Sequence, residues 1–578
     1  MAVKHIRRRQ PPADAPPLAD RLHPLLARVY HNRGVRDPEE LSLELARLTA
    51  PTELAGIEVA AGLLADAVMT GERVLIIGDF DADGATSSAL GVLALRAMGG
   101  EADFLVPNRF EYGYGLTPEI VEVAHQRRPD LLVTVDNGIS SIEGVAAARQ
   151  LGMKVVVTDH HLPGEQLPEA DAIVNPNQPG CGFPSKHLAG VGVIFYVLTA
   201  VRSELRRRGW FEGRAEPRLA DYLDLVALGT VADVVSLDHC NRILVRQGLA
   251  RIRAGRARPG ILALLEVARR DPGRTVASDL GFMVGPRLNA AGRLDDISIG
   301  IQCLLTNDPA EARQLAAELD QLNRDRRSIE QSMQREAVAS LAKLELKEEE
   351  GLPWGLCLYR PDWHQGVIGI VASRIKDRYH RPVIAFADAD EEGLIKGSAR
   401  SIPGFHIRDA LDAVAARHPE LLSRFGGHAM AAGMSLEQDR LEAFSRAFDH
   451  VVREQLEEDD LTAVLWSDGE LGPDELDLEA ARLLRNAGPW GQSFPEPLFD
   501  GRFQVIQQRA IGDGRHLKLV LAHEAAPDRL LDAVAFNIDT ERWPDPNIDR
   551  LHAAYRLDVN AWRGRETVQL LLEYFEPA

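Results

Sequence analysis

The sequence predicts an α/β protein of several domains: a doubly wound parallel-sheet domain, a long connector helix, a second α/β domain and a C-terminal β-barrel. Three observations lead there. Apolar, β-branched runs alternate with helical stretches from about residue 50 to 303. Helical spacing then persists from Ala310 to about Leu346 with no internal proline or glycine. Beyond Glu457 the pattern changes to short strand-like runs. The expected boundaries are 1–48 for an N-terminal extension, 49–304 for the first α/β domain, 305–350 for the connector, 351–453 for the second α/β domain and 454–578 for the barrel.

Each element has its own signal. Met1 to Pro17 is basic and proline-rich with no apolar core, so it reads as a mobile arm and not as a secretory leader. Strands are expected at Val74–Gly78, Leu131–Val135 and Lys154–Thr158, with a helix from Thr86 to Met98 after the first. Asn307-Asp308-Pro309 is a helix start, a capping residue followed by proline in the first turn. Leu315, Leu319, Leu322, Ile329, Met333, Val338 and Leu341 continue that helix as a rigid connector, closed by Lys347 to Gly351. Leu356–Tyr359 and Val383–Ala387 read as strands flanking a helix over Gly366–Lys376. Phe503–Ile506, Leu517–Leu521, Leu531–Phe536, Tyr555–Val559 and Val568–Tyr574 are the terminal strands, with Arg563-Gly564-Arg565 as a hairpin turn. Five strands over that length suit a small barrel, of which the OB-fold is the usual one for single strands.

Composition excludes some classes and leaves others open. Hydrophobic residues at 45% and charged residues at 26% are ordinary for a globular protein, and no apolar run approaches the ~18 residues of a membrane span. Cys181, Cys240, Cys303 and Cys357 are widely spaced, which fits a reduced cytoplasmic protein without disulfides or a zinc site. A net charge of −20 counts against nucleic-acid binding only at first sight, because local patches outweigh the total. Arg206-Arg207-Arg208 and the arginines of 251–258 are such patches, either DNA contacts or solvated helix faces.

The chemistry-bearing residues sit at the ends of the three predicted strands: Asp79-Phe80-Asp81-Ala82-Asp83-Gly84, Asp136-Asn137-Gly138 and Asp159-His160-His161. In a parallel α/β sheet, ligand sites form at the carboxyl ends of the strands, so these groups should converge. A lone Asp after a strand is more often a helix cap, and a lone His a core residue. Three successive strand ends make that coincidence hard to sustain. An EF-hand would need Glu at its twelfth position, which is Leu90 here. Crowded carboxylates repel unless cations neutralise them, and mixed oxygen and nitrogen donors suit Mn²⁺ or Mg²⁺. The pattern is that of a two-metal hydrolytic centre.

The motifs GDFDADG, TVDNGI, TDHH and ALGTVADVVSL, in that order, resemble the DHH phosphoesterase family. Later segments narrow the resemblance: Gly285-Pro286-Arg287-Leu288-Asn289-Ala290-Ala291-Gly292-Arg293, Trp363-His364-Gln365-Gly366, Lys396-Gly397-Ser398-Ala399-Arg400-Ser401 and Gly426-Gly427-His428. Over roughly residues 40 to 575 the chain is similar to that family's bacterial single-strand-specific 5′→3′ DNA exonucleases, built from DHH, DHHA1 and OB-fold domains. The resemblance implies two divalent ions, Mn²⁺ or Mg²⁺, sharing Asp136, with Asp79 and Asp81 completing one and Asp83, His160 and Asp233 the other. Many relatives carry His where this chain has Ile77 or Asp79, which leaves the first ligand set open. His161 would contact the scissile phosphate and protonate the leaving oxygen, and Asp159 would orient His160 through its second nitrogen.

Substrate groups carried over from the family are Arg109, Arg287, Asn289, Arg293, Ser398, Arg400, Gly427 and His428, for phosphates and the 5′ end, and Tyr114, with Tyr112, as a stacking or loop-anchoring residue. His364 would either touch substrate or hydrogen-bond at a helix start, and Gly426-Gly427 would either approach a terminal phosphate or simply turn the chain. Two other readings compete: a phosphodiesterase for short oligoribonucleotides or cyclic dinucleotides, and a non-catalytic single-strand binder. Residues 305–347 and 457–578 count against the first, and the intact carboxylates and histidines against the second. The resemblance further implies a cytoplasmic monomer acting on single-stranded DNA, away from any membrane, with a single-strand DNA-binding protein and a RecQ-type helicase as partners in repair and recombination.

Overall fold

The computed structural model describes the chain except residues 1–3, 12–17, 19–21, 107–114, 346–351, 390, 423, 513, 539, 541 and 563. It forms two compact units, one of residues 11–323 with 482–496, the other of residues 1–10, 324–481 and 497–578.

In the first unit a five-stranded sheet is parallel throughout, in the order Glu101–Leu105, Arg73–Ile77, Leu131–Val135, Lys154–Thr158, Ala172–Val174. The first strand of the chain to enter this sheet therefore lies second, and strand order reverses between it and Leu131–Val135. That reversal is a topological switch point, where connections leave on opposite faces and open a crevice at the carboxyl ends. Leu131–Val135 is buried along its whole length, as a run without alternation requires. The helix after the first strand covers Ala82–Ala97, four residues earlier at its start than Thr86. The cause is Asp81, whose side chain accepts the backbone N–H of Asp83 and Gly84 and so starts the helix inside the acidic motif. The connector helix spans Pro309–Glu345, close to the expected 310–346.

Two sheets of the second unit have five strands. A mixed one runs Arg424–Gly427, Ala431–Glu437, Leu394–Arg400, Val383–Asp388, Leu356–Tyr359, packed on a core of Phe386, Ile395, Phe405, Leu411, Phe444 and Phe448. Its helix is Ile368–Tyr379, so Trp363 and His364 lie in the turn before it and do not begin it. The other sheet is a closed barrel of Phe499–Ile511, His516–His523, Ala526–Ala535, Arg565–Pro577 and Arg550–Trp562. These strands are up to 13 residues long, well beyond the runs expected, because polar residues on their exposed faces interrupt the apolar signal. Gly564, at φ 78°, makes the predicted hairpin turn.

One expectation is corrected. Lys4–Arg8 is no mobile arm but a strand paired in parallel with Ala463–Ser467. In the basic patches, Arg206 pairs with Glu216 and Arg207 and Arg208 with Glu204 on an exposed helix face, and Arg258 donates to the carbonyls of Leu304, Leu305 and Thr306 at a helix end. Arg482–Glu496, inside the expected barrel domain, belongs to the first unit, where Leu237 N–H donates to the Gln492 carbonyl.

Arg8 anchors the N-terminal strand on Asp500, which is nearly buried and also accepts from Ser467 and His552. Burial would raise the Asp500 carboxyl, but His552, Arg8 and Ser467 hold it far below the carboxylate range. Arg8→Ala should cost about 1–3 kcal/mol by leaving that carboxylate short of donors, read as a lower urea midpoint. No change in midpoint would show that the strand is not held this way.

Candidate metal centre and substrate groups

The switch point brings the three sequence motifs to one place. Asp79 and Asp81 follow the strand Arg73–Ile77, Asp136 follows Leu131–Val135, and Asp159, His160 and His161 follow Lys154–Thr158. Asp233 joins them as the C-cap of the helix Leu223–Ala232. Potential ligand atoms fall into three overlapping groups: Asp79, Asp81 and Asp136; Asp83, His160 and Asp233; and Asp136, His160 and His161. Within each, they lie within 4.8 Å of one another. Asp136 belongs to two of these groups and is 2% exposed. Its backbone is in the left-handed region at φ 61°, a conformation that costs a non-glycine residue about 1–3 kcal/mol and recurs at functional sites. Gly190 makes room for it, since a Cβ there would stand 2.6 Å from the Asp136 Cβ.

Backbone groups the sequence did not point to complete the site. Asp83 is fully buried, and its two oxygens accept the N–H groups of Gly190 and Val191 at the start of the helix Gly190–Arg207. Asn289 accepts the N–H of Ala82 at 2.7 Å, so it positions the acidic loop through the backbone. The glycines of Leu188-Ala189-Gly190-Val191-Gly192 were the one available signal for the first of these contacts.

His160 decides what the cluster is suited to hold. Burial drops its pKa to about 4, so the ring is neutral near pH 7. The Leu188 carbonyl hydrogen-bonds the ring, while the buried Nε2 makes no hydrogen bond and must carry its lone pair. That lone pair faces Asp136 Oδ1 at 3.0 Å, Asp233 Oδ2 at 3.6 Å and Asp83 Oδ2 at 4.0 Å. Where these carboxyls are ionised, acceptors converge on acceptors, an arrangement that a divalent cation satisfies. Burial and mutual repulsion push the Asp136 and Asp233 carboxyls well above their ordinary range and Asp83 to about 7.

Asp159 does not orient His160, contrary to expectation. It pairs with His161 Nδ1 at 2.7 Å and accepts the N–H of Ile139 with its other oxygen. The backbone turn after Thr158 swings the second ring, not the first, back over the carboxylate. Burial would raise Asp159 and lower His161, but their hydrogen bond and charges prevail and move each the other way.

The substrate candidates divide. Arg287 is 6% exposed and paired with Asp320 at 2.8 Å, so it is a structural ion pair and not a phosphate fork open to solvent. Arg293 is half-buried on the same helix. Arg109, Tyr112 and Tyr114 lie outside the described residues. In the other unit, His364 Nδ1 accepts the N–H of Gly366, the helix-start bond. Gly427 lies within a strand at φ 146°, where a Cβ would stand 2.4 Å from the Ala431 carbonyl, and His428 is exposed after it. Ser398 and Arg400 are adjacent, Arg400 Nη1 donating to Ser398 Oγ at 3.0 Å. Both pack against Gly369 at the start of its helix, where a Cβ would stand 2.7 Å from Arg400 Nη2 and 2.8 Å from Ser398 Oγ. Burial lowers the Arg400 pKa, and among the described residues no carboxylate pairs with it.

Family models match in three blocks: the N-terminal domain of the DHH family over residues 73–230, the DHHA1 domain over 355–454 and the RecJ OB domain over 467–574. The single-stranded-DNA-specific exonuclease RecJ of Dickeya dadantii is 57% identical over 573 residues, 99% of each chain. That of Escherichia coli K12 is 56% identical over 559 residues, 96% of each. The chain belongs to the RecJ family. RecJ of Thermus thermophilus has been solved with Mn²⁺ and with Mg²⁺. The first matches with a TM-score of 0.79 at 31% identity, over 99% of this chain and 80% of that one. The second matches with a TM-score of 0.74 at 30% identity. Among the described residues no helix is long and apolar enough to cross a membrane.

The raised carboxyls set a sign. An acid whose pKa is higher in the folded state favours folding at low pH, and that advantage is lost as pH climbs from the ordinary carboxylate range through about 7. Without metal, stability should therefore decline over that interval, and a bound cation should offset the decline. Mn²⁺ should raise the Tm of this RecJ-family protein more at pH 8 than at pH 5.5. An equal or smaller shift at pH 8 would place the ion elsewhere.

Proposed function

We propose that this RecJ-family exonuclease removes 5′-mononucleotides from single-stranded DNA in the 5′→3′ direction by two-metal phosphodiester hydrolysis, in repair and recombination. The observation that carries the chemistry is the neutral His160, its lone pair aimed among Asp83, Asp136 and Asp233. Asp136 is assigned to both ions, Asp79 and Asp81 to one, and Asp83, His160 and Asp233 to the other. Divalent ions held there would activate water and offset charge on the phosphate oxygens during an in-line displacement.

The protein's own groups do the rest. Asp159 fixes the His161 ring and raises its pKa. His161, with its side chain 37% exposed, is assigned to donate a hydrogen bond to the scissile phosphate and a proton to the leaving 3′-oxygen. Ser398 and Arg400, packed together against Gly369, are assigned to the terminal 5′-phosphate, which sets the polarity of digestion. The barrel is assigned to single-strand affinity, with Arg515, His516, Lys518 and Arg565 as candidate contacts. It is tested by point changes, because a chain cut near residue 455 would also lose Arg482–Glu496 from the catalytic unit. A single-strand DNA-binding protein and a RecQ-type helicase are the proposed partners of a monomeric enzyme.

Asp136→Ala should abolish cleavage of a 5′-labelled single strand in Mn²⁺ or Mg²⁺ while leaving strand binding intact. More than a few per cent residual activity would refute the shared-ligand assignment. Arg400→Ala should erase the preference for a 5′-phosphate over a 5′-hydroxyl end, a loss of about 1.5–3 kcal/mol for one charge-assisted contact. If the preference survives, Arg400 does not hold the end.

A further inference from the structure

Leu162, Val234 and Phe282 stand out among the exposed large apolar side chains of the first unit. They are 61%, 63% and 72% exposed, two of them chain neighbours of cluster residues and the third on a turn packed against the segment leading to Asp233. Leu162 follows His161 and Val234 follows Asp233 directly in the chain. Phe282 lies in a π-helical turn, Leu280–Val284, of a kind that recurs at functional sites. That turn packs on the segment leading to Asp233: a Cβ at Gly281 would stand 3.1 Å from Val231, and one at Gly285 would stand 3.0 Å from Ala232. Further along, Asn289 holds Ala82, and Gly292 lies so close to the Phe80 carbonyl that a Cβ would stand 1.8 Å from it. The backbone bearing Phe282 is thus pinned to both acidic loops while its ring is left in solvent. The other exposed apolar residues of this unit, Val59, Met69, Ile142 and Leu151, sit on the helices Ile57–Thr70 and Ile142–Gln150 or at their ends.

We infer that Leu162, Val234 and Phe282 form an apolar rim on the metal cluster that seats a nucleobase flanking the scissile phosphate, with Phe282 as the stacking platform. Carboxylates and imidazoles recognise only the phosphate, and nothing in them distinguishes a nucleotide from any other phosphoester. An exposed aromatic face beside them adds that distinction, and stacking tolerates every base because every base has a π-face. Val234 supports the reading independently. It is a β-branched residue held in the left-handed region, at φ 62°, with its side chain 63% exposed, an unfavourable conformation for such a residue. A base packed on it would cover that exposed side chain.

The inference rests on the proposed cleavage of single-stranded DNA, so the test separates the two. Cleavage of a 5′-phosphorylated oligonucleotide is compared with cleavage of versions abasic at nucleotide 1, 2 or 3, for the native protein and for Phe282→Ala and Phe282→Trp. If the native protein does not cut the unmodified strand, the proposed function fails and the rim with it. If it does, kcat/KM should fall about five- to tenfold or more for an abasic site at nucleotide 1 or 2, the scale of one lost stacking contact. Phe282→Ala should show a similar fall on the intact strand and no further abasic penalty, and Phe282→Trp should restore the penalty. A native enzyme indifferent to abasic sites, or a Phe282→Ala enzyme with the full native penalty, would overturn the rim. A merely structural role for Phe282 would lower all rates and leave their ratios unchanged.

Discussion

The crowding of largely buried carboxylates is the constraint on which the catalytic unit depends. Asp79, Asp81, Asp83, Asp136 and Asp233 converge at the carboxyl ends of a parallel sheet, and burial and repulsion raise three of them. Such a cluster is tolerated only where the scaffold over-determines it. Here Gly190 admits Asp136, the helix start at Gly190 and Val191 engages Asp83, Asp81 is spent partly on a helix cap, and Asn289 holds the loop from outside. Each support is a backbone contact, which fixes position without adding a competing charge.

The two histidines of one motif illustrate how environment divides chemically identical side chains. His160 is buried and neutral and carries a lone pair toward carboxylates, which suits a ligand. One residue on, His161 has Asp159 against Nδ1 and a raised pKa, which suits a donor. Two titrating groups whose surroundings push them apart are the usual basis for separate roles in one site. Arginines show the same sorting. Arg206, Arg207, Arg208, Arg258 and Arg287 pair with acids or carbonyls, whereas Arg400 is half-buried beside a serine and a glycine, with no carboxylate against it among the described residues. A basic residue count therefore says little about where this acidic chain would meet phosphate.

The sequence by itself determined the fold class, the element order and the identity of the clustered residues. Leu131–Val135 and Lys154–Thr158 were legible to the residue, because fully buried parallel strands are continuous apolar runs with sharp ends. The connector helix was legible because helical spacing of apolar residues runs from Leu315 to Leu341 with no proline or glycine to break it. The barrel strands were legible in number but not in length, since alternation blurs where half of each strand faces water.

Only the tertiary structure decided which partner each group has. Spacing could not show that Asp159 turns to His161, that Arg287 is occupied by Asp320, or that Lys4–Arg8 joins Ala463–Ser467 some 460 residues away in the chain. Nor could it assign Arg482–Glu496 to the catalytic unit or reveal that Gly190 and Asn289 serve the acidic loops. Periodicity reports which face of an element is apolar, a property of neighbours in the chain. Hydrogen bonds and ion pairs join groups remote in sequence, and their choice of partner is set by distances that exist only once the sheet has ordered its strands.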